Sequence, residues 1–462
     1  MAGGMGWGIR GQYGHETGAM IAGVLIGFTA ALLFIPEASS LHAARVVALT
    51  AIGISFGGSE TYAQTVGLTH DAEFLGNWPA LRWGLFGLFI KGGVWIGFAG
   101  AFLGIGLSEK HYRPAEMALV MAGLLVLMYI GVRVLNEPFD PTHKILPRLY
   151  FSHDWYWRAE AEFKPRREIW GGLLVALGGL MVYLTWVRHD QLAGNLALVG
   201  FLAGGVGFPL GQCLQAFHAW NPAIFTKGPL GVIEPYMNWW NMMEISFGTI
   251  FGAILASGLW LNRHRMSSGA SHDDVMISPF VELPLLAVYM VPLFAAEFLG
   301  WGNLSIFGAK TIIIAAVPLM GILGGRFSPY LVALPIVATP IAGKTLRELC
   351  YKNEEFSLLL GWAVFFVLPL SSLLWRAISL VKRGQRGERS RTFAREGLLL
   401  ATWFYFGLNF AFFRFPWPWK PWTSRTPSAI IFIVCALSLS AAAIVSGGTK
   451  ESLAAPSKRP GE

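Results

Sequence analysis

The chain has 462 residues, of which 54% are apolar and only 13% charged, with a mean hydropathy of +0.51 and a net charge of +8. Soluble globular chains carry roughly 25% charged residues, so this balance excludes an ordinary soluble domain and points to an all-α polytopic membrane protein. The basic excess is not a nucleic-acid signal, because it gathers in loops at Lys144 to Arg167, Arg263 to Arg265 and Lys382 to Arg395, where it suits anionic lipid headgroups. Cys213, Cys350 and Cys435 share no metal or redox spacing, and neither a metal nor a cofactor is expected.

A spanning helix needs about 20 mostly apolar residues, and roughly 11–13 segments meet that measure. The first is Thr17 to Ile35. Val46 to Phe56 is short and runs into Gly57-Gly58-Ser59-Glu60, which reads as a helix broken within the membrane. Leu81 to Leu107 is long, carries Arg82 and Lys91, and is expected to tilt or to break at Gly92-Gly93. Ala118 to Leu135 closes a first membrane half, residues 1–136, and a polar, aromatic connection occupies 137–168. The second half, 169–347, holds Trp170 to Val187, Leu196 to Leu210, Ile245 to Leu261, Val281 to Phe298 and Phe307 to Ile322. It ends in Ser328 to Ile341, whose Pro329, Pro335 and Pro340 suggest a re-entrant or kinked segment. Phe356 to Leu374, Gly397 to Phe413 and Ala429 to Val445 make a peripheral group, 348–449, and 450–462 reads as a disordered tail.

Two stretches look like versions of one another. Gly3-Gly4-Met5-Gly6-Trp7 precedes Gly11-Gln12 and Glu16; Gly204-Gly205-Val206-Gly207-Phe208 precedes Gly211-Gln212 and, further on, Glu244. A fainter echo sets the doublet after Phe56 against Leu323-Gly324-Gly325-Arg326. Degenerate repeats with broken helices at matching places point to a transporter's binding site, since such backbone exposes unpaired amides and carbonyls to a ligand.

Ionisable groups inside a bilayer are costly unless they serve a site. Glu16 and Glu244 each open an apolar run in the sequence, and both are assigned to an ion-coupling role. Arg10 is expected to pair with Glu16 across a turn, leaving His15 to titrate near neutral pH. Glu60 and Arg326, at the two glycine doublets, are expected to line a common cavity. Gln212, Trp240 and Asn241 supply amides beside an indole, a combination suited to a hydroxylated ligand. Lys91, Arg82 and Lys310 have stems long enough to snorkel to an interface. Gly343-Lys344-Thr345 lacks the first glycine of a phosphate loop, and Gly53-Ile54-Ser55-Phe56-Gly57 sits in a membrane helix instead of a hydrolase elbow.

The expected function is secondary transport of a small polar, hydroxylated or sugar-like solute, coupled to protons or sodium, in a bacterial inner membrane and in contact with its lipids. The alternative is an integral-membrane transferase or hydrolase acting on a lipid-linked substrate, with His15 and Glu16 or His70 and Asp71 as acid and base and the 137–168 connection as a headgroup lid. No His-Glu-x-x-His or Cys-x-x-Cys motif is present.

Overall fold

The computed structural model describes residues 1–158, 164–266, 273–298, 316–417 and 421–448. Most of the expected span Phe307 to Ile322, Lys310 with it, and the tail 450–462 lie outside them. The described chain is helical, and ten of its helices are long and apolar enough to cross a membrane. In chain order the helices that build the bundle are α1 (Ala2–Arg10), α2 (Glu16–Phe34), α3 (Ser40–Gly57), α4 (Ala63–His70), α5 (Trp78–Leu107), α6 (Pro114–Leu135), α7 (Trp170–Val187) and α8 (Gln191–Trp220). They continue with α9 (Trp239–Leu261), α10 (Pro279–Phe298), α11 (Val317–Gly324), α12 (Ser328–Lys352), α13 (Leu358–Gln385), α14 (Ser390–Phe412) and α15 (Thr426–Gly448).

Lipid offers no hydrophobic drive between apolar helices, so tight association relies on close packing, and glycine supplies it. The contacts run antiparallel through the bundle. Gly27 and Gly23 of α2 meet Val47 and Ala51 of α3; Gly57 and Gly53 of α3 meet Trp95 and Phe102 of α5. Gly92 and Gly104 of α5 meet Gly204 and Ala193 of α8, and Gly211 of α8 meets Phe247 of α9. The closest approach is at Gly92 and Gly204, where a Cβ built on Gly204 would stand 1.9 Å from the Gly92 carbonyl oxygen. The Gly92-Gly93 doublet therefore admits a neighbour and does not break its helix: α5 runs unbroken for 30 residues, about 45 Å.

These pairings give the bundle two ends. One end gathers the turn after α1, the C-terminus of α3, α4, the start of α5, the described parts of the 137–168 connection and the start of α9. The other gathers the start of α3, the end of α5 and the start of α12. The two glycine signatures differ in local structure, the first lying on nine-residue α1 and the second inside thirty-residue α8. The Ser328 segment is not re-entrant. It crosses as a 25-residue helical run with two π-type stretches, from Ser328, whose amide meets Glu282 at one end, to Lys344, which meets Gln12 at the other.

Gly204→Ala is expected to lower stability by about 1–3 kcal/mol or more through overpacking against the α5 backbone. Gly123→Ala, with nothing within 4 Å of the added carbon, should be neutral or slightly stabilising. Thermal unfolding of the two variants in one detergent separates these outcomes.

Candidate functional site

The first end of the bundle holds two buried charge clusters joined by a short stretch of chain. Gly11 and Gly14 turn the chain between α1 and α2, Gly14 with φ of +95°. Gly11 has a second role, since a Cβ there would stand 2.3 Å from a Glu244 carboxylate oxygen. Through that gap Arg10 reaches Glu244 at 3.3 Å, both side chains being at most 2% exposed. The Glu244 carboxylate also accepts from the Trp240 indole at 3.3 Å and the Asn241 amide at 3.2 Å. Asn241 itself donates to the Gly8 carbonyl at 2.7 Å, which locks α9 to α1. The Arg10 guanidinium sits 4.6 Å from the Trp7 ring centre and 5.1 Å from that of Trp95, and it donates to the Tyr62 hydroxyl. Aromatic faces and hydroxyl replace the water that a cation loses on burial.

The second cluster centres on Lys91, midway along α5 and fully buried. Its ammonium donates to Glu168 at 2.7 Å, to the Thr65 hydroxyl at 2.8 Å and to the Thr61 carbonyl at 2.7 Å, with Glu60 at 3.4 Å. Besides Lys91, Glu168 accepts three further bonds, from the Ser152 hydroxyl, the Phe151 amide and the Trp170 indole. Glu60 accepts from the Ile169 amide at 3.1 Å. Two buried carboxylates thus share one ammonium. Tyr62, one residue beyond Thr61, carries the contact to Arg10, so both clusters hang on the segment Glu60 to Tyr62.

The expected residues distribute unevenly. Glu60, Glu244, Trp240 and Asn241 come together here, and Gln212 lies nearby, donating to Thr69 of α4 at 2.7 Å. His15 is half-buried, its ring 5.1 Å from Tyr62 and stacked on Trp95 at 6.1 Å. Glu16 stands in the first turn of α2, half-buried, and is not the partner of Arg10, which bonds Glu244 and Tyr62 instead. Glu244 does not open its helix: α9 begins at Trp239, capped by Asn238, so Glu244 lies in its second turn and inside the bundle. His70 and Asp71 form a loose pair at 3.6 Å, with Asp71 37% exposed and His153 3.9 Å from its other oxygen.

Arg326 belongs elsewhere. Its backbone amide and those of Phe327 and Ser328 donate to the buried Glu282 carboxylate, which caps α12. Arg45 bonds the adjacent Gly325 carbonyl at 3.2 Å, so this site lies at the start of α3, about 18 Å of helix from its Gly57 end. The cavity expected to unite Glu60 with Arg326 is therefore not formed. Lys91 does not snorkel, and the importance of Glu168 escaped sequence reasoning because it closes a loop-like segment. The available signal was Lys91 itself, a cation at the centre of an apolar thirty-residue run.

In the connection, burial pushes the His153 imidazole below its ordinary range, against the pull of Asp71 and Glu73. Comparisons of the chain with protein-family models, with curated proteins and with solved structures find no match.

Charge counting predicts opposite outcomes for two variants. Lys91→Met strands two buried carboxylates and should cost about 3–5 kcal/mol. Glu60→Gln leaves one ammonium facing one carboxylate, keeps an acceptor for the Ile169 amide, and should stay within about 1 kcal/mol of the parent. Thermal unfolding reads both. The His153 shift has a defined sign: the unfolded imidazole takes a proton near pH 6.5, while the folded one resists it. The connection's stability is thus present above that range and lost as pH falls through it. Hydrogen-exchange protection at residues 150–157, corrected for the intrinsic pH dependence of exchange, should fall on acidification, and His153→Gln should flatten the response.

Proposed function

We propose that the protein is an ion-coupled secondary transporter of a small polar solute, with the Glu60–Lys91–Glu168 triad carrying the coupling cation, a proton or sodium. The observation that carries this reading is the charge count. An ionised carboxylate is expensive in a low-dielectric interior unless matched, and Lys91 matches only one of its two neighbours. A proton or a monovalent cation supplies the missing charge, and its loss leaves the cluster with an unmatched negative charge.

Glu244 has its own match in Arg10, with the field of Arg425 added, so in this reading it fixes α1 against α9 and does not carry the ion. The acids come from both expected halves, Glu60 from 1–136 and Glu244 from 169–347, with Glu168 at the boundary. That supports two related arms closing on one site, although the glycine signatures have diverged in local form. The setting that suits such coupling is a membrane with a standing ion gradient, the bacterial cytoplasmic membrane in the first instance. The transferase or hydrolase alternative has weaker support, since His70 and Asp71 are loosely paired and His15 stacks on rings.

Reconstituted in liposomes, the protein should accumulate its solute when a pH or sodium gradient is imposed. Glu60→Gln should abolish gradient-driven accumulation while retaining solute exchange across the membrane, because the amide neutralises the triad permanently. Uptake indifferent to every imposed ion gradient would overturn the coupling, and release of a cleaved product from a lipid-linked substrate would favour the enzyme.

A further inference from the structure

Outside the buried clusters, a cavity of about 630 Å³ lies between Trp83 of α5 and residues 144–157 of the connection. That size suits a small organic ligand, pockets for which run to roughly 300–1,000 Å³. Its walls are aromatic and basic: Trp83, Tyr150, Trp155 and Trp157 supply rings, and Lys144 and Arg148 supply cations. Neither cation enters an ion pair among the described residues, and Lys144 lies 5.9 Å over the Trp155 ring. The one acid among the described lining residues, Asp154, is 5% exposed and accepts from the Tyr156 amide at 2.7 Å. Burial pushes its carboxyl above the ordinary range, against the backbone amides of Tyr156 and Trp157. The indole N–H of Trp83 is committed to the Tyr150 carbonyl at 2.7 Å, so that ring is fixed in place.

We infer that this cavity is a binding site for an anionic, hydroxylated ring such as a phosphorylated hexose, with Arg148 and Lys144 on the anion and the indoles on the ring faces. A guanidinium grips phosphate oxygens through paired N–H donors, Lys adds a point charge, and flat indoles present apolar platforms with polar edges. The inference rests on the transport reading for its purpose, as the capture site for the solute, and names that solute's class. Geometry ties the two sites together. The wall segment that begins at Tyr150 continues into Phe151 and Ser152, whose amide and hydroxyl both donate to Glu168 of the triad. A ligand pressing on Tyr150 and a cation arriving beside Glu168 therefore act on the same three residues.

The same headgroup chemistry occurs on a free sugar phosphate and on a lipid-linked one. Ile145 and Leu149, next in sequence to the lining residues Lys144 and Arg148, are exposed apolar side chains that a lipid tail could meet. The test is calorimetric titration of the full chain in phosphatidylcholine nanodiscs, with no gradient and no flux. Glucose 6-phosphate is one probe and uncharged glucose its control; nanodiscs doped with a polyprenyl-phosphate hexose or with phosphatidylglycerol form the lipid arm, read by competition against glucose 6-phosphate. The expected result is saturable glucose 6-phosphate binding, at least roughly tenfold tighter than glucose, weakened roughly tenfold by Arg148→Gln with Lys144→Gln and separately by Trp155→Ala. Competition from the polyprenyl-phosphate hexose but not from phosphatidylglycerol also supports the site and assigns a lipid-linked source. Absence of binding by either sugar phosphate, or binding that the three substitutions leave unchanged in a normally melting protein, overturns the inference. Because binding is read without transport, a failed flux assay and a failed titration identify different errors.

Discussion

The arrangement at the first end of the bundle depends on one ammonium. Lys91 lies at the middle of a largely apolar helix, fully removed from water, and its compensation comes from three separate pieces of chain. Thr61 and Glu60 follow α3, Thr65 belongs to α4, and Glu168 leads into α7. An uncompensated ammonium at that depth is costly, so those pieces are obliged to converge. The convergence then fixes Tyr62, and Tyr62 fixes the hydroxyl that Arg10 needs. A single buried charge thereby organises α1, α3, α4, α5 and α7.

Glycine makes that convergence sterically feasible. Gly11 leaves room for the Glu244 carboxylate, Gly57 lets α3 lie on the Trp95 backbone, and Gly92, the residue after Lys91, lets α8 rest against α5. In each case a methyl group would intrude on a neighbouring backbone or carboxylate within 2.6 Å. Small residues and buried charges therefore act together: the first bring backbones close, and the second require partners at that closeness. The sequence pattern of glycine beside an acid reflects this pairing.

That explains which parts of the site were legible. Composition and run length sufficed for the helical membrane architecture, because both follow from the solvent a chain must face. Glu60 and Glu244 stood out as acids beside apolar runs, and both are buried. The partners were not legible. Arg10 looks toward Glu16 along the chain, yet it finds Glu244 across 234 residues, and Lys91 finds Glu168 across 77. Side-chain pairing of this kind is set by helix order, which local pattern does not encode. Arg326 misled for the related reason that a glycine doublet marks close packing at either end of a bundle. Its doublet seats Gly325 against the Glu282 carboxylate, where a Cβ would stand 2.1 Å from an oxygen.

The two ends of the bundle answer the same desolvation problem differently, and the difference bears on mechanism. At the second end, Glu282 is buried on three backbone amides and Arg45 on the carbonyls of Ile322, Asp274 and Gly325. Backbone dipoles neither titrate nor dissociate, so they hold these two buried charges as a fixed clamp. At the first end, carboxylate faces ammonium and a second carboxylate, and the balance changes with one proton or one cation. In the transport reading the variable chemistry belongs where the charge count is odd, and the opposite closure must yield by moving helices against each other. The glycine-faced seams of α2, α3 and α5 are where such movement meets least side-chain obstruction, and they run unbroken from Arg45 to Glu60.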